Sequence, residues 1–150
     1  DYAVALNGSE NTPGFAEVAE QYGNTPAGNL ANMYAAACAL RLGDFDAAEK
    51  YINSFKNVKG IPGELVNAMA TGIKGEIAVE KDDYAKAASL FEQAAKQSNN
   101  EFTTPMYLNK AALAYTAMGD EAKAKQCYET IQNDYPRSMD AREAMKQLVE

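Results

Sequence analysis

Leu42-Gly43-Asp44-Phe45, Lys81-Asp82-Asp83-Tyr84 and Met118-Gly119-Asp120-Glu121 are three renderings of one signal, a helical run that stops and at once restarts. With Gly43, Asp82 and Gly119 set in one column, the neighbouring columns fall into line. Seven residues before the anchor stand Ala36, Gly75 and Ala112, and five after it stand Ala48, Ala87 and Ala124, so both columns hold only small residues. Nine after come Ile52, Phe91 and Tyr128, which are large and apolar; twelve after come Phe55, Ala94 and Ile131; seventeen after come the breakers Gly60, Asn99 and Pro136. The anchors lie 39 and 37 residues apart, inside the spacing of roughly 20–50 residues that marks a repeat architecture.

Each unit has one grammar: an apolar pattern of period 3.6 runs into the stop, restarts, and ends near Gly, Asn or Pro. That pattern predicts two antiparallel helices joined by a tight turn. Where two helices cross closely only Gly or Ala lets the backbones approach, and the bulky column fills the space beyond. The recurring Asp44, Asp83 and Asp120 are expected to cap the second helix of each hairpin by accepting its free backbone N–H groups.

Composition closes several doors. The 150 residues carry a net charge of −7, two cysteines, no tryptophan and no histidine. An acidic chain lacks the clustered Lys and Arg that nucleic-acid recognition requires. Without imidazole there is no Ser-His or Cys-His couple and no His metal ligand. Cys38 and Cys127, each in apolar helical surroundings, read as buried free thiols. No run approaches the roughly 18 apolar residues of a membrane span. The opening Asp1-Tyr2-Ala3-Val4 has no initiator Met, which leads us to expect a fragment of a longer protein.

Small residues before Gly-Asp-aromatic, then Ala, then an aromatic, then Pro, resemble the tetratricopeptide repeat. The unit from Leu108 to Pro136 is the nearest, with Ala111, Ala112, Tyr115, Gly119, Asp120, Ala124 and Tyr128 on the motif; it departs at Glu121, where an aromatic is usual. The first unit has Ala39 where the motif has an aromatic, and the second has Lys74 for leucine and Asp82 for the turn glycine. The resemblance implies an all-α, right-handed α-α superhelix forming a single domain over 1–150. It divides into a partial N-terminal repeat (1–28), repeats at 29–62, 68–101 and 105–137, and a capping helix (138–150). The added length falls in loops at 57–63 and 98–102.

The flanks echo each other. Tyr22-Gly23-Asn24-Thr25-Pro26 lies over Tyr135-Pro136-Arg137-Ser138-Met139, which makes Thr25 and Ser138 equivalent N-caps with Pro26 in the favoured first helical position. Pro13 to Tyr22 reads as the second helix of a degraded repeat. Asp140 to Val149 reads as a terminal helix with Arg142, Glu143 and Lys146 outward, the polar end an array needs. This tail and the 5–31 flank are similar to the YfgM-like group of envelope tetratricopeptide proteins from Bacteroidetes. That resemblance implies a protein held by an N-terminal membrane helix on the periplasmic side of the inner membrane, working with the export channel and chaperones. A cytoplasmic location is the alternative.

The resemblance points to a protein-binding concave wall lined by the first helix of each unit. Counting back thirteen, ten, six and three residues from each anchor gives Leu30, Met33, Ala37 and Leu40; Met69, Gly72, Glu76 and Val79; and Met106, Asn109, Leu113 and Thr116. Flexible Met side chains suit apolar peptide segments or an amphipathic helix; the same residues can equally be core packed against neighbouring helices or the N-terminal segment. Asn109 lacks basic companions and Glu76 has the wrong sign, which argues against the carboxylate clamp of the family's chaperone-binding members. Asn7-Gly8-Ser9 and Asn11-Thr12-Pro13-Gly14 read as a loop without the strand and helix of a phosphate cradle. No catalytic, metal or cofactor residues stand out, and an enzyme would have to work with carboxylates alone. The expected function is non-enzymatic protein recognition by an envelope factor assisting translocation or assembly. A homo-oligomerising scaffold with the apolar wall buried in self-association is the alternative.

Overall fold

The computed structural model describes residues 1–149 as nine helices and one small β-hairpin: α1 (Tyr2–Asn7), β1 (Gly8–Ser9), β2 (Thr12–Pro13), α2 (Phe15–Tyr22), α3 (Pro26–Arg41), α4 (Phe45–Ser54), α5 (Ile61–Glu80), α6 (Tyr84–Ser98), α7 (Thr103–Ala117), α8 (Glu121–Asp134) and α9 (Asp140–Val149). The fold is an all-α helical repeat.

The three stops are one structure. Gly43, Asp82 and Gly119 all take the left-handed conformation, with φ of 78°, 57° and 77°. Behind each, the next amide reaches back five residues: Asp44 N–H donates to the Ala39 carbonyl at 3.0 Å, Asp83 to Ala78 at 2.9 Å and Asp120 to Tyr115 at 2.9 Å. Gly43, Asp82 and Gly119 donate to Leu40, Val79 and Thr116, which completes a Schellman termination of α3, α5 and α7. The same aspartates then open the next helix. Their Oδ1 atoms accept from the amides of Ala47, Lys86 and Lys123 at 3.0, 3.1 and 3.2 Å.

The small columns are buried as packing requires. Ala36, Ala48, Gly75, Ala87, Ala112 and Ala124 lie inside, against the buried Ile52, Phe91 and Tyr128. A Cβ at Gly75 would stand 2.6 Å from the Phe91 ring, so the small column exists to admit the large one. Both cysteines are free and buried. Two asparagines grip the backbone in the manner of a strand partner: Asn29 exchanges both hydrogen bonds with Lys56 at 2.7 Å, and Asn67 does so with Val58 at 2.8 and 2.9 Å.

The packing gathers into two compact units, Asp1–Asn57 and Val58–Glu150, where the sequence reads as one array. In the first, α1, α2 and α4 pack on α3, whose Ala31–Leu40 stretch is mostly buried. In the second, α5 to α9 pack in sequence, and α9 also touches α7. Three local readings change and one holds. The residues read as a loop near the N-terminus pair instead as strands, Gly8 with Pro13 and Ser9 with Thr12. The helix read from Pro13 therefore starts at Phe15. The loop read over 57–63 ends at Gly60, because Pro62 in the first turn favours helix from Ile61 onward. The equivalence of Thr25 and Ser138 holds: Ser138 Oγ accepts from Ala141 N–H at 3.2 Å, as Thr25 does from Gly28, and α9 runs from Asp140 to Val149 as read.

Three core groups hold their protons tightly. Burial, then the charge of Glu76, pushes the Tyr107 phenol up to about 12. Tyr115 also reaches about 12, through burial and then the hydrogen bond its hydroxyl donates to Glu92 at 3.0 Å. Burial, then the Glu92 charge, pushes the Cys127 thiol up to about 11.

Asp82 has a Cβ in a conformation that disfavours one, whereas a Cβ at Gly43 or Gly119 would meet nothing within 4 Å, so φ rather than room selects glycine there. Asp82→Gly should raise unfolding free energy by about 0.5–1 kcal/mol and Gly43→Ala should lower it by about 1 kcal/mol. Urea midpoints at unchanged slope read both effects; a drop for Asp82→Gly would show that the hydrogen bond Asp82 Oδ1 accepts from the Tyr84 hydroxyl at 3.0 Å outweighs the strain relieved. A native state that keeps the Cys127 proton while the unfolded chain releases it loses stability as pH rises from about 9 to about 11. The wild-type urea midpoint should fall more steeply over that window than that of Cys127→Ala, and equal slopes would contradict the buried-thiol assignment.

Candidate functional site

The first-helix face of the Val58–Glu150 unit follows from helix geometry. On α7, Met106, Leu113 and Ala117 share one stripe, with Lys110 on one side and Asn109 and Thr116 on the other. Leu113 is 58% exposed at the centre of that stripe, and Thr116 and Ala117 are exposed beside it. On α5 the matching stripe is Met69, Glu76 and Glu80.

The twelve wall residues do not share one environment. Met33, at 1% exposure, and Leu40 are buried, while Leu30 and Ala37 are half-buried. The Met33 and Leu40 assignments are corrected accordingly: these side chains belong to the core and offer a partner no surface. Gly72 is corrected too, because it is buried and a Cβ there would stand 2.5 Å from the Tyr107 ring; the position is filled by α7. Val79 and Met106 are partly buried against the core cluster, and Met69 is half-buried. Leu113 and Thr116 stand free.

Polar cross-ties flank the α7 stripe. Lys110 Nζ pairs with Glu76 Oε1 and lies 5.7 Å from the Phe91 ring centre, which binds α7 to α5 and α6. Asn109 Nδ2 donates to Asp140 Oδ1 at 3.1 Å, which binds α7 to the start of α9. Asn109 Oδ1 is buried with no donor among the described residues. Lys110 and Asp140 escaped the column reading because their partners sit 34 and 31 residues away. One signal was available: Lys110 stands in a column otherwise held by Tyr34 and Ile73, and a lone charge at such a position calls for a partner.

A separate cleft of about 500 Å³ opens between α6, α7 and α8, with Ala95, Leu108 and Cys127 among its lining and Glu92, Lys96 and Gln126 around them. Its cysteine holds its proton well above neutral pH and its Glu92 is engaged by Tyr115, so neither is set up as a nucleophile or base. Among the described residues no three His, Cys, Asp or Glu side chains converge as metal ligands would, and no helix is long and apolar enough to cross a membrane.

No curated protein and no solved structure matches the chain. Residues 110–138 match the family model described as tetratricopeptide repeat, a family whose repeats mediate protein–protein interaction and are typically non-enzymatic. The match runs from Lys110 on α7 through α8 to Ser138, so the third hairpin is similar to a tetratricopeptide repeat, and the all-α helical-repeat fold around it is consistent with that likeness.

Proposed function

We propose that this chain is a non-enzymatic protein-recognition module whose binding face is the first-helix side of the Val58–Glu150 unit. The observation that carries the reading is Leu113, 58% exposed on a stripe whose flanks are held rigid by the Lys110–Glu76 and Asn109–Asp140 ties. An exposed leucine alone is ordinary; one centred on a preorganised helical face is a place for an apolar side chain of a partner to dock. The partner is an apolar segment in extended or helical form. The similarity of the flanks to YfgM-like proteins supports placing the module in the bacterial envelope, as the part of a membrane-anchored factor that assists protein translocation or assembly.

A photocrosslinking residue at position 113 of the full-length protein, expressed in its native cell, should yield discrete protein adducts. The same residue at the exposed Gln93 on α6 should not. Equal adducts from both positions would remove the α7 face as the binding site. Fractionation should recover the full-length protein with the inner membrane and its repeats on the periplasmic side; recovery in the cytosol would overturn the envelope placement.

A further inference from the structure

We infer that the segment docking on the α7 face is a basic amphipathic one, with Lys or Arg beside its apolar residues; this rests on the face proposed above being the binding site. The apolar stripe of α7 lies between acids on both sides. On α5, Glu80 follows Glu76 by one turn and is exposed, with no partner among the described residues. On the opposite side Asp140, among the described residues, accepts only from the neutral amide of Asn109. The lysines nearby are already engaged, Lys110 by Glu76 and Lys146 by Glu143 at 3.3 Å. The acids beside this stripe that no cation engages among the described residues are therefore Glu80 and Asp140, in a chain whose net charge is already −7. Such a field raises the association rate of a cation and penalises an anion brought to the same place.

The arrangement selects by sign. A helix laying an apolar row over Met106 and Leu113 would turn its flanking side chains towards Glu80 and Asp140, where Lys and Arg are matched and Glu and Asp are opposed. A second copy of this chain, carrying the same acids, would bring like charges together.

The test uses the whole 150-residue chain and two fluorescein-labelled peptides of about 14 residues with one leucine stripe in common, their polar faces built from Lys in one and Glu in the other. Anisotropy titrations should show the Lys peptide binding about tenfold or more tightly than the Glu peptide at about 50 mM salt, with the preference shrinking at about 300 mM. Leu113→Ser should weaken both peptides, and the double variant Glu80→Gln, Asp140→Asn should remove most of the preference while keeping the Leu113 dependence. Circular dichroism and urea midpoints confirm that each variant is folded. Equal binding of the two peptides, both lost in Leu113→Ser, overturns the charge inference and leaves the face standing. A Lys peptide indifferent to Leu113→Ser overturns the face itself. A preference that survives Glu80→Gln, Asp140→Asn assigns the effect to net charge, and a dimer dissolved by Leu113→Ser assigns the face to a second copy; either result overturns the inference.

Discussion

One backbone hydrogen bond, made three times, sets the architecture: the amide of Asp44, Asp83 or Asp120 returning to the carbonyl five residues earlier. It can form only when the intervening residue turns left-handed, and it ends one helix while placing the aspartate to cap the next. One residue thus closes a C-terminus and opens an N-terminus. With no spare residues in the turn, the second helix must fold back directly along the first. The antiparallel hairpin is a consequence of termination chemistry before any side chain packs.

Close return then dictates the interior. Helices that start in contact leave no room for bulk near the turn, so Ala36, Gly75 and Ala112 before it and Ala48, Ala87 and Ala124 after it are small and buried, and volume is restored by Ile52, Phe91 and Tyr128 further on. The 2.6 Å that would separate a Gly75 Cβ from Phe91 shows how tightly the columns are matched. Removing a ring such as Phe91 costs about 3–5 kcal/mol in cores of this density, because so few neighbours can move into the gap. Such an interior is stiff, and stiffness lets the exposed stripe of α7 present Leu113 in a defined place.

What could be read from residues follows the range of the forces involved. Caps, stops and small columns are local and appear three times over, so the Gly43, Asp82 and Gly119 column and its aspartates identify themselves. The start of α5 at Ile61 depends on Pro62, which stands at a different distance from its anchor than Pro26 of α3 or Pro105 of α7, so no shared column marks where the 57–63 loop gives way to helix. The strand pairing of Gly8 with Pro13 and the Asn29 and Asn67 brackets occur once each. Exposure is the least local property of all. Met33 and Asn109 occupy the same column, yet α3 packs with α1, α2 and α4 while the Asn109 side chain reaches α9, so one is core and the other a cross-tie.

That contrast gives a physical rule for finding function in a repeat that lacks catalytic groups. Columns in which the three hairpins agree are held by the turn and the close crossing, and substitutions there register first as lost stability. The column six before the anchor holds Ala37, Glu76 and Leu113, three residues with nothing chemical in common. A shared packing constraint does not select them, since it would have produced one size class three times, as it did one position earlier with the small Ala36, Gly75 and Ala112. In the second hairpin this variable column supplies Glu76 to the tie with Lys110, and in the third it places Leu113 on the stripe between that tie and Asn109–Asp140. Internal disagreement on a rigid, partly exposed face is where a helical array can change what it recognises without changing how it folds.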